Sequence, residues 1–543
     1  MAETTLRDYD EVPYESRPTR QAHPNRMATV ATLFGLRPTP VEACRVLELA
    51  CGNGGNLIPM AVAHPGSRFV GIDLSRRQVI DGRAMIRELD LKNITIGQMN
   101  ILAVNERIGQ FDYIIAHGLY SWVPPAVQDK ILDICDKHLA PQGVAYISYN
   151  TYPGWHHRGM LRDMLWFHAS TATEPLARVR AAREMAQFLT KNAARFEGPY
   201  SAALRGEMDA LAKFPDWYVL HEHLAPNNAP VYFHEFISRA AAKGLQFVGE
   251  AQGSPTGAAN VPPELDEAVR RFGADLVHRE QYLDFITDRS FRRTLLCKAD
   301  VTLHRPPRTE DVASLYVASQ LEPAAPVADY RSPQPQRFKS AKGIEVTGAE
   351  PMIKSALFYL GTIYPRSIRF DNLCSIARER LGPRPAAADT AAQDAALAKC
   401  VLDCYVAEVM DLAAVADPFT MEVGERPVAS PLARRQARDG LFVANLRHEH
   451  VQIDEASRVV LQQLDGTHDR PALAAALQTG YRPGPGPAPP SLRPGAPLTP
   501  ETFARAIDEV LVAIARTALL CLPLTSSPGG AILHADQKNP GAK

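Results

Sequence analysis

A short glycine-rich turn at residues 48–54 (ELACGNG) follows an apolar strand candidate at residues 44–49. Glycine has no Cβ, so Gly52 and Gly54 allow the backbone to bend sharply and to approach a ligand closely. The same context fits a dinucleotide-binding turn, which needs a further glycine three positions after Gly54. Leu57 occupies that position. The turn therefore favours a ligand without a pyrophosphate, while a dinucleotide site and a purely structural turn stay open.

Polar residues follow the second and third strand candidates. Asp73 lies 19 positions after Gly54 (73 − 54), where a carboxylate can accept hydrogen bonds from two ribose hydroxyls. A helix N-cap for the stretch that follows is the simpler interpretation of the same residue. Asn100, Ile101 and Leu102, after the third strand, could hold an adenine ring through a polar side chain, a backbone N–H and an apolar contact. Together these strand ends predict a site for an adenine nucleoside.

The fourth and fifth strand candidates lead into aromatic residues and a histidine. His117 and Tyr120 follow the fourth strand, and Tyr149 and Tyr152 lie at the end of the fifth. Aromatic faces attract cations by about 0.5–2 kcal/mol each, which suits a ligand that carries a sulfonium group. The same tyrosines would also fit a hydrophobic core, and His117 could be structural.

The elements that must position these residues form a regular alternation. Strands separated by helices of 10–15 residues indicate an α/β fold with a doubly wound, mostly parallel sheet. Ligands in such sheets bind beyond the carboxyl ends of the strands. The strand candidates are residues 44–49, 68–72, 93–98, 111–117 and 144–149, and the clearest helical stretches are residues 75–89 and 125–139.

The remainder of the chain divides by composition. After a ligand-binding domain at residues 1–158, strand patterns stop and a helical domain is predicted at 159–305. A Pro- and Ala-rich stretch predicts a linker at 306–340. A helical subdomain at 341–420 and a winged-helix-like domain at 421–543 follow, the latter with a Pro/Gly-rich loop at 480–500, a last helix at 501–520 and a frayed tail.

The overall charge and composition exclude several classes of protein. The 543 residues include 59 basic and 60 acidic side chains, so the basic surplus typical of nucleic-acid binders is missing and no nucleic-acid partner is expected. We expect no membrane span, because no run of about 18 apolar residues occurs. The N-terminus lacks the features of a secretory signal, and eight scattered cysteines favour a reduced, cytoplasmic compartment. The paired histidines lack a metal-ligand pattern, and no metal is expected.

The pattern Glu48-x-Ala50-Cys51-Gly52-x-Gly54, followed by Asp73, resembles the class I S-adenosylmethionine-dependent methyltransferases. Longer strings at residues 111–124, 147–155, 230–236 and 280–297 resemble bacterial members with an attached methyltransferase regulatory domain, a group that includes rickettsial protein-lysine methyltransferases of outer-membrane proteins. Ala50 is a departure, because that position usually holds the first glycine of the pattern.

The resemblance implies a Rossmann-like enzyme with S-adenosyl-L-methionine as its cofactor and a lysine of a protein substrate as the best-supported acceptor. Its cofactor-binding residues would be Glu48, Ala50, Cys51, Gly52, Gly54, Asn56, Asp73, Leu74, Asn100, Ile101 and His117. The catalytic candidates are Tyr14, Tyr120, Tyr149 and Tyr152, which could align the amine, and His117, which could accept its proton.

Further implications and alternatives concern the rest of the chain. The N-terminal segment with Tyr14 and His23 resembles a lid over the cofactor, and the additional domains could bind the substrate or form a homodimer. A small-molecule or nucleic-acid methyltransferase, a cofactor-binding protein without turnover and an NAD(P)-dependent dehydrogenase are the alternatives.

Overall fold

The computed structural model describes residues 2–193, 195, 197–252, 262–273, 275–325, 330–332, 334–382, 387–483, 486–493, 495 and 497–522. A seven-stranded sheet in the order β3-β2-β1-β4-β5-β7-β6 forms its centre. Neighbouring strands among β1 to β5 are parallel, and β7 is antiparallel to both β5 and β6. The strands are β1 (Arg45–Leu49), β2 (Arg68–Asp73), β3 (Ile94–Gln98), β4 (Phe111–Ala116), β5 (Leu139–Asn150), β6 (Leu245–Glu250) and β7 (Phe291–Lys298).

Helices cover both faces of this sheet. Strands buried on both faces are expected to be continuous apolar runs, as in the last four residues of β4, whereas the buried part of β1 is apolar except for Glu48. The predicted fold class and the five predicted strands are confirmed, with ends that differ by one residue except at β5, which begins five residues earlier. The flanking helices are α3 (Leu57–Ala63), α4 (Arg76–Glu88), α5 (Pro125–His138), α10 (Phe233–Ala241), α11 (Pro263–Phe272) and α12 (Leu276–Thr287).

The prediction that strands stop after residue 158 is corrected by β6 and β7. Both strands belong to the segment 159–305 that was expected to be helical, and they complete the sheet begun by the first 150 residues. Neither strand stands out in the sequence, because long helices surround both and β7 carries two charged residues, Arg292 and Arg293, near its start. Arg292 is fully buried and bound by Glu250, Glu280 and Asp284, so its charge does not mark a solvent-exposed strand.

Two further parts of the chain lie at the carboxyl edge of the sheet. The N-terminal segment comprises α1 (Ala2–Glu11), a 3-10 turn at Arg20–Ala22 and α2 (Pro24–Leu33), and the stretch from residue 2 to residue 22 is called the lid below. A helical cap follows β5. It contains α6 (Trp155–Ala169), α7 (Pro175–Ala193), α8 (Pro199–Leu211) and α9 (Asp216–Tyr218), which continues into a π-helical turn at Val219–His223.

The predicted linker at 306–340 is also corrected. Its residues include β8 (Tyr316–Ala318), the central strand of a three-stranded sheet, and β9 (Glu322–Pro323) and β10 (Gln336–Lys339) of a second one. Strands of two to four residues are too short to show an alternating pattern, which explains the error. The other elements here are β11 (Glu345–Gly348), α13 (Pro351–Ile363), β12 (Ile368–Arg369), α14 (Phe370–Leu381), α15 (Ala387–Val406) and β13 (Asp411–Ala413).

The last part of the described chain begins with a helix that is followed by two short strands. Its elements are α16 (Pro431–Gln436), β14 (Phe442–Ala444), β15 (His450–Gln452), α17 (Glu455–Leu461), α18 (Arg470–Gly480) and α19 (Pro500–Arg516). The Pro/Gly-rich stretch between α18 and α19 contains a 3-10 turn at Pro490–Leu492, held by Ser491, whose hydroxyl donates to Glu509 at 2.8 Å. The predicted tail lies outside the described residues from 523 onward. No helix in the described part of the chain is long and apolar enough to cross a membrane.

Candidate active site

The glycine-rich turn after β1 adopts a left-handed backbone at three positions. Gly52 has φ +55° and Gly54 φ +79°, and a Cβ on Gly54 would lie 2.6 Å from Cδ1 of Ile96. Ala50 has φ +56°, so the alanine that departs from the family pattern adopts the conformation that favours glycine. The turn is therefore built as the pattern requires, with some strain at Ala50.

Asp73 lies at the end of β2 and orders the turn. Its carboxylate accepts the Gly52 N–H and the Ser75 N–H, each at 2.8 Å. Ser75 in turn caps α4 by accepting the Gln78 N–H. Ser75, and not Asp73, is therefore the N-cap of α4. The ribose role of Asp73 stays a prediction that the geometry allows, because each carboxylate oxygen keeps a second lone pair for a ligand hydroxyl.

Glu48 carries a buried carboxylate beneath the turn. Its Oε1 accepts the Asn56 side-chain N–H at 2.7 Å, whereas within the described residues its buried Oε2 has no hydrogen-bond partner. Burial raises the pKa of Glu48 to about 8, an effect that Asn56 opposes and the charge of Asp73 reinforces. A buried carboxylate oxygen without a partner is unfavourable, and a bound cation would stabilise it. The ammonium group of S-adenosylmethionine would be such a cation.

Exposed apolar side chains surround the space beyond β2 and β3. Leu74 is 45% exposed and Leu102 51% exposed, and Ile101 lies between the latter and Asn100. The Asn100 side chain accepts the Leu102 N–H at 2.9 Å and so fixes this turn. An adenine ring placed between these apolar side chains would cover them and so remove their surface from water.

Cys51 and His117, two further cofactor candidates, lie in different surroundings. The Cys51 side chain is buried against Gly71, where an added Cβ would lie 2.6 Å from its Sγ, so only its backbone faces the turn. His117 follows β4 at the carboxyl edge, with Nδ1 3.1 Å from the Tyr146 hydroxyl and 3.2 Å from the Ser148 hydroxyl. Burial and the nearby charge of Arg293 lower the pKa of His117 to about 4, so its ring is neutral near pH 7.

The four candidate tyrosines divide into two pairs. Tyr120 and Tyr149 lie in the core that covers one face of the sheet, at 5.1 and 4.1 Å from the ring of Phe236. The Tyr149 hydroxyl lies 3.0 Å from the Thr294 hydroxyl. The structure therefore places both tyrosines among core side chains, and their role in aligning the acceptor stays a prediction.

Tyr14 and Tyr152 lie outside that core. Tyr152 follows β5 and stacks on His156 at 4.2 Å. Tyr14 belongs to the lid and contacts Trp217 of the cap edge-on at 4.8 Å, while its backbone carbonyl accepts the side-chain N–H of Gln78. Both tyrosines remain candidates for residues near the acceptor.

The lid crosses directly over the cofactor turn. Asp10 accepts the Ser75 hydroxyl at 2.5 Å, and the Thr19 N–H donates to Asn56 at 2.9 Å. A Cβ on Gly55 would lie 2.1 Å from the backbone oxygen of Ser16, so only glycine fits beneath this segment. The sequence suggested a lid but did not identify Asp10, Ser16 or Thr19, because polar residues at a chain terminus have no distinguishing pattern.

A histidine of the C-terminal domain, 392 positions after Asn56, also contacts this region. His448, at the turn between β14 and β15, has its Nε2 2.8 Å from Oδ1 of Asn56. Since Oδ1 also accepts the Thr19 N–H, the histidine must donate from Nε2. Burial lowers the pKa of His448 to about 3, and it adopts φ +59°. Asn56 thus joins the lid, the cofactor turn and the C-terminal domain, a role that no sequence signal indicated.

These residues fit S-adenosylmethionine. Backbone at Gly52 and Gly54 would approach its methionine end, the carboxylate of Glu48 would face its ammonium group, and Asp73 would hold its ribose hydroxyls. Among the described side chains, no group of three or more His, Cys, Asp or Glu residues is arranged to hold a metal ion.

Comparisons with known proteins agree with this site. A methyltransferase domain model matches residues 46–143, a predicted methyltransferase regulatory domain matches 215–298, and the C-terminal winged helix domain of PKMT matches 425–519. Protein RP789 of Rickettsia prowazekii is 34% identical over 476 residues, which are 86% of this chain and 85% of that protein. Protein RP028 of the same species is 38% identical over 46% of this chain and 99% of its own length.

A solved structure extends the likeness to nearly the whole chain. PKMT2 from Rickettsia typhi in complex with AdoHcy superposes with a TM-score of 0.81 at 28% identity, over 94% of this chain and 100% of that one. The sheet and its glycine turn define a class I S-adenosylmethionine-dependent methyltransferase. The chain belongs to the family of such enzymes that carry a methyltransferase regulatory domain and a PKMT winged helix domain.

Proposed function

We propose that this methyltransferase modifies lysine side chains of a protein substrate. The likeness to PKMT2 from Rickettsia typhi carries the proposal, because it includes the winged-helix domain as well as the catalytic sheet. The chain continues for 245 residues (543 − 298) after β7. A small-molecule enzyme does not need that much additional surface, whereas a protein substrate can bind to it.

When bound, S-adenosylmethionine supplies an electrophilic methyl group: a new bond forms from the acceptor nitrogen to the methyl carbon, the carbon–sulfur bond pair stays on sulfur, and the nitrogen loses one proton. The protein must hold the amine in line with that group and exclude water. A free lysine has a pKa near 10.4, so only about one in a few thousand side chains is neutral at pH 7. A partly buried channel between lid and cap would favour the neutral, nucleophilic form.

Residues on three elements would contribute to that channel. Tyr14 of the lid and Tyr152 after β5 offer hydroxyls to the amine, and His117 after β4 offers a ring nitrogen. Because the pKa of His117 is lowered to about 4, its neutral ring is a weak base toward an ammonium group, and a positioning role suits it better than proton removal.

Methyl-labelled S-adenosylmethionine incubated with the enzyme and a bacterial lysate tests the proposal. We expect label in protein, and mass spectrometry of tryptic peptides should place it on lysine. The Asp73→Ala variant serves as the cofactor-deficient control. Label confined to dialysable or RNase-sensitive material would contradict a protein acceptor, and labelled protein without methyl-lysine would contradict the choice of lysine.

A further inference from the structure

Six aromatic side chains in consecutive contact form a strip that starts at the turn after β5. Tyr152 stacks on His156 with ring centroids 4.2 Å apart, and its ring lies 5.2 Å from that of Tyr232, at the start of α10. The ring of Tyr232 lies 5.9 Å from that of Phe285 on α12. This aromatic strip comprises His156, Tyr152, Tyr232, Phe285, Tyr282 and Phe272.

The far end of the aromatic strip is exposed. Tyr282 contacts Phe285 at 6.3 Å and Phe272 at 6.2 Å. Phe285 is 47% exposed, its neighbour Ile286 is 49% exposed, and Phe272, the last residue of α11, is 76% exposed. Single exposed apolar residues are ordinary on a protein surface, whereas a contiguous group of them marks an interaction site. Because aromatic side chains are also enriched at protein interfaces, the strip has the composition of a binding surface.

Backbone contacts fix the near end of the strip to the central sheet. The N–H of Tyr152 donates to the carbonyl of Val231 at 3.4 Å, and the N–H of Gly154 donates to the carbonyl of Arg289 at 3.0 Å. A Cβ on Gly154 would lie 2.5 Å from the carbonyl oxygen of Asp288, which follows α12. The end of α12 and the segment before α10 therefore pack against the turn after β5, and the strip starts at the carboxyl edge of the sheet.

This edge is also where the methyl group must be transferred. The strand β1, which precedes the cofactor turn, is the neighbour of β4, and β4 is the neighbour of β5. Adjacent strands lie about 4.8 Å apart, so the end of β5 lies on the order of 10 Å from the end of β1. A substrate segment on the strip would pass close to the methyl donor, and lysine carries its amine on a flexible four-carbon chain that suits such a gap.

Carboxylates lie beside the near end of the strip. Glu235 accepts the Tyr232 N–H at 3.3 Å, and Asp288, at the end of α12, has a side chain that is 57% exposed. Arg289 at the same end is bound to Asp284 at 3.1 Å. Exposed carboxylates attract a segment that carries lysine. A second copy of this chain on the strip would instead cover the carboxyl edge and exclude a protein acceptor, so the charge and the position both favour the substrate as the occupant.

We propose that the aromatic strip binds the segment of the protein substrate next to the acceptor lysine. The inference rests on the proposed function, because it specifies which feature of a protein substrate the enzyme recognises besides the lysine itself. The segment lies extended along the strip, its apolar side chains pack on the exposed rings, and its lysine enters the carboxyl edge beside Tyr152. The strip thus selects lysines that have apolar residues nearby in the substrate sequence.

Two synthetic peptides of about 12 residues test the docking site, since at about 3.3 Å per residue either can cover the whole strip. Both carry one lysine and the same net charge, and every second position is leucine in one peptide and serine in the other. Fluorescence anisotropy of dye-labelled peptides should show that the leucine peptide binds the parent enzyme about tenfold more tightly or better. The double variant Phe272→Ala/Phe285→Ala should bind the two peptides equally, because it lacks the two exposed rings.

The matched control is Phe442→Ala, because Phe442 is 52% exposed on β14 but lies outside the strip. It should keep the preference of the parent enzyme for the leucine peptide. Calorimetric binding of S-adenosylhomocysteine should be unchanged in both variants, which verifies that they fold. Equal binding of the leucine peptide by the parent and the double variant would overturn the docking site. A dimeric parent that becomes monomeric in the double variant, measured by sedimentation velocity, would show a second copy on the strip and would overturn it as well.

The two proposals can fail separately. If lysate proteins are methylated on lysine but the parent and the double variant bind the leucine peptide equally, the docking site is wrong and the proposed function stands. If the double variant loses the leucine peptide but no protein lysine is methylated, the strip stands as a peptide-binding surface and the protein-lysine function is wrong.

Discussion

The cofactor side and the acceptor side of this active site are built in different ways. The cofactor side comes almost entirely from one continuous stretch, β1 to β4, in which successive strand ends contribute Glu48, Asp73, Asn100 and His117. The proposed acceptor side joins the lid to residues of the cap about 200 positions further along the chain, through contacts such as Tyr9–His221 and Tyr14–Trp217. A site of the first kind is encoded in a local pattern, whereas one of the second kind depends on tertiary packing.

The two sides also differ in the contacts that order them. On the cofactor side Asp73 is bound by backbone N–H groups, and Glu48 is bound at one oxygen by Asn56. Between the lid and the cap, the rings of Tyr9 and Tyr14 pack on His221 and Trp217. The cofactor turn is thus preorganised by hydrogen bonds, whereas the contact of lid and cap relies on packed rings.

The largest effect is expected from Asp73→Ala. It removes the ribose ligand and also the acceptor for the Gly52 and Ser75 N–H groups, each a charge-assisted hydrogen bond. At about 1.5–3 kcal/mol per bond, cofactor affinity should fall by about 100-fold or more. Isothermal titration calorimetry with S-adenosylhomocysteine measures it. Asp81→Ala, on the exposed side of α4, should leave the affinity unchanged, and an unaltered affinity in Asp73→Ala would contradict the site.

Glu48→Gln should reduce cofactor affinity by about tenfold and change its dependence on pH. Because the pKa of Glu48 is raised to about 8, much of it is protonated near pH 7, and binding of an ammonium group must release that proton. Affinity should therefore increase with pH up to about 8. Calorimetry in buffers of different ionisation enthalpy should detect proton release in the parent enzyme and less in Glu48→Gln. Equal release in both would contradict the pairing.

His448 brings a contact from the C-terminal domain to the cofactor turn. His448→Ala removes a hydrogen-bond donor to Asn56, which also holds Glu48 and Thr19. A neutral hydrogen bond contributes about 1 kcal/mol, so cofactor affinity should fall by about fivefold. The matched control is His450→Ala, because His450 lies on the same hairpin but stacks on Phe442. Equal affinities in the two variants would show that the C-terminal domain does not support the cofactor turn.

The same contrast explains what could be predicted from the sequence. The five parallel strands and the glycine turn followed from periodicity and from the family resemblance, because those signals lie within one continuous stretch from Arg45 to Asn150. The strands β6 and β7 and the short strands in the supposed linker were missed, since pairing partners far along the chain define them. The core position of Tyr120 and Tyr149 could not be predicted, because an aromatic residue at a strand end gives no sign of which face it occupies, and His448 had no local signal at all.

The smallest expected effect distinguishes strain in the cofactor turn from its binding role. Ala50 adopts φ +56°, which costs an L-residue about 1–2 kcal/mol, whereas glycine adopts it freely but loses about 0.5–1 kcal/mol more in chain entropy. Ala50→Gly should therefore stabilise the protein by about 0.5–1 kcal/mol, measured by urea unfolding, with cofactor affinity unchanged. Ala84→Gly on the exposed face of α4 should destabilise it by about 1 kcal/mol. If both glycine variants are destabilised alike, Ala50 is not strained, and the departure from the family pattern has no energetic consequence for the fold.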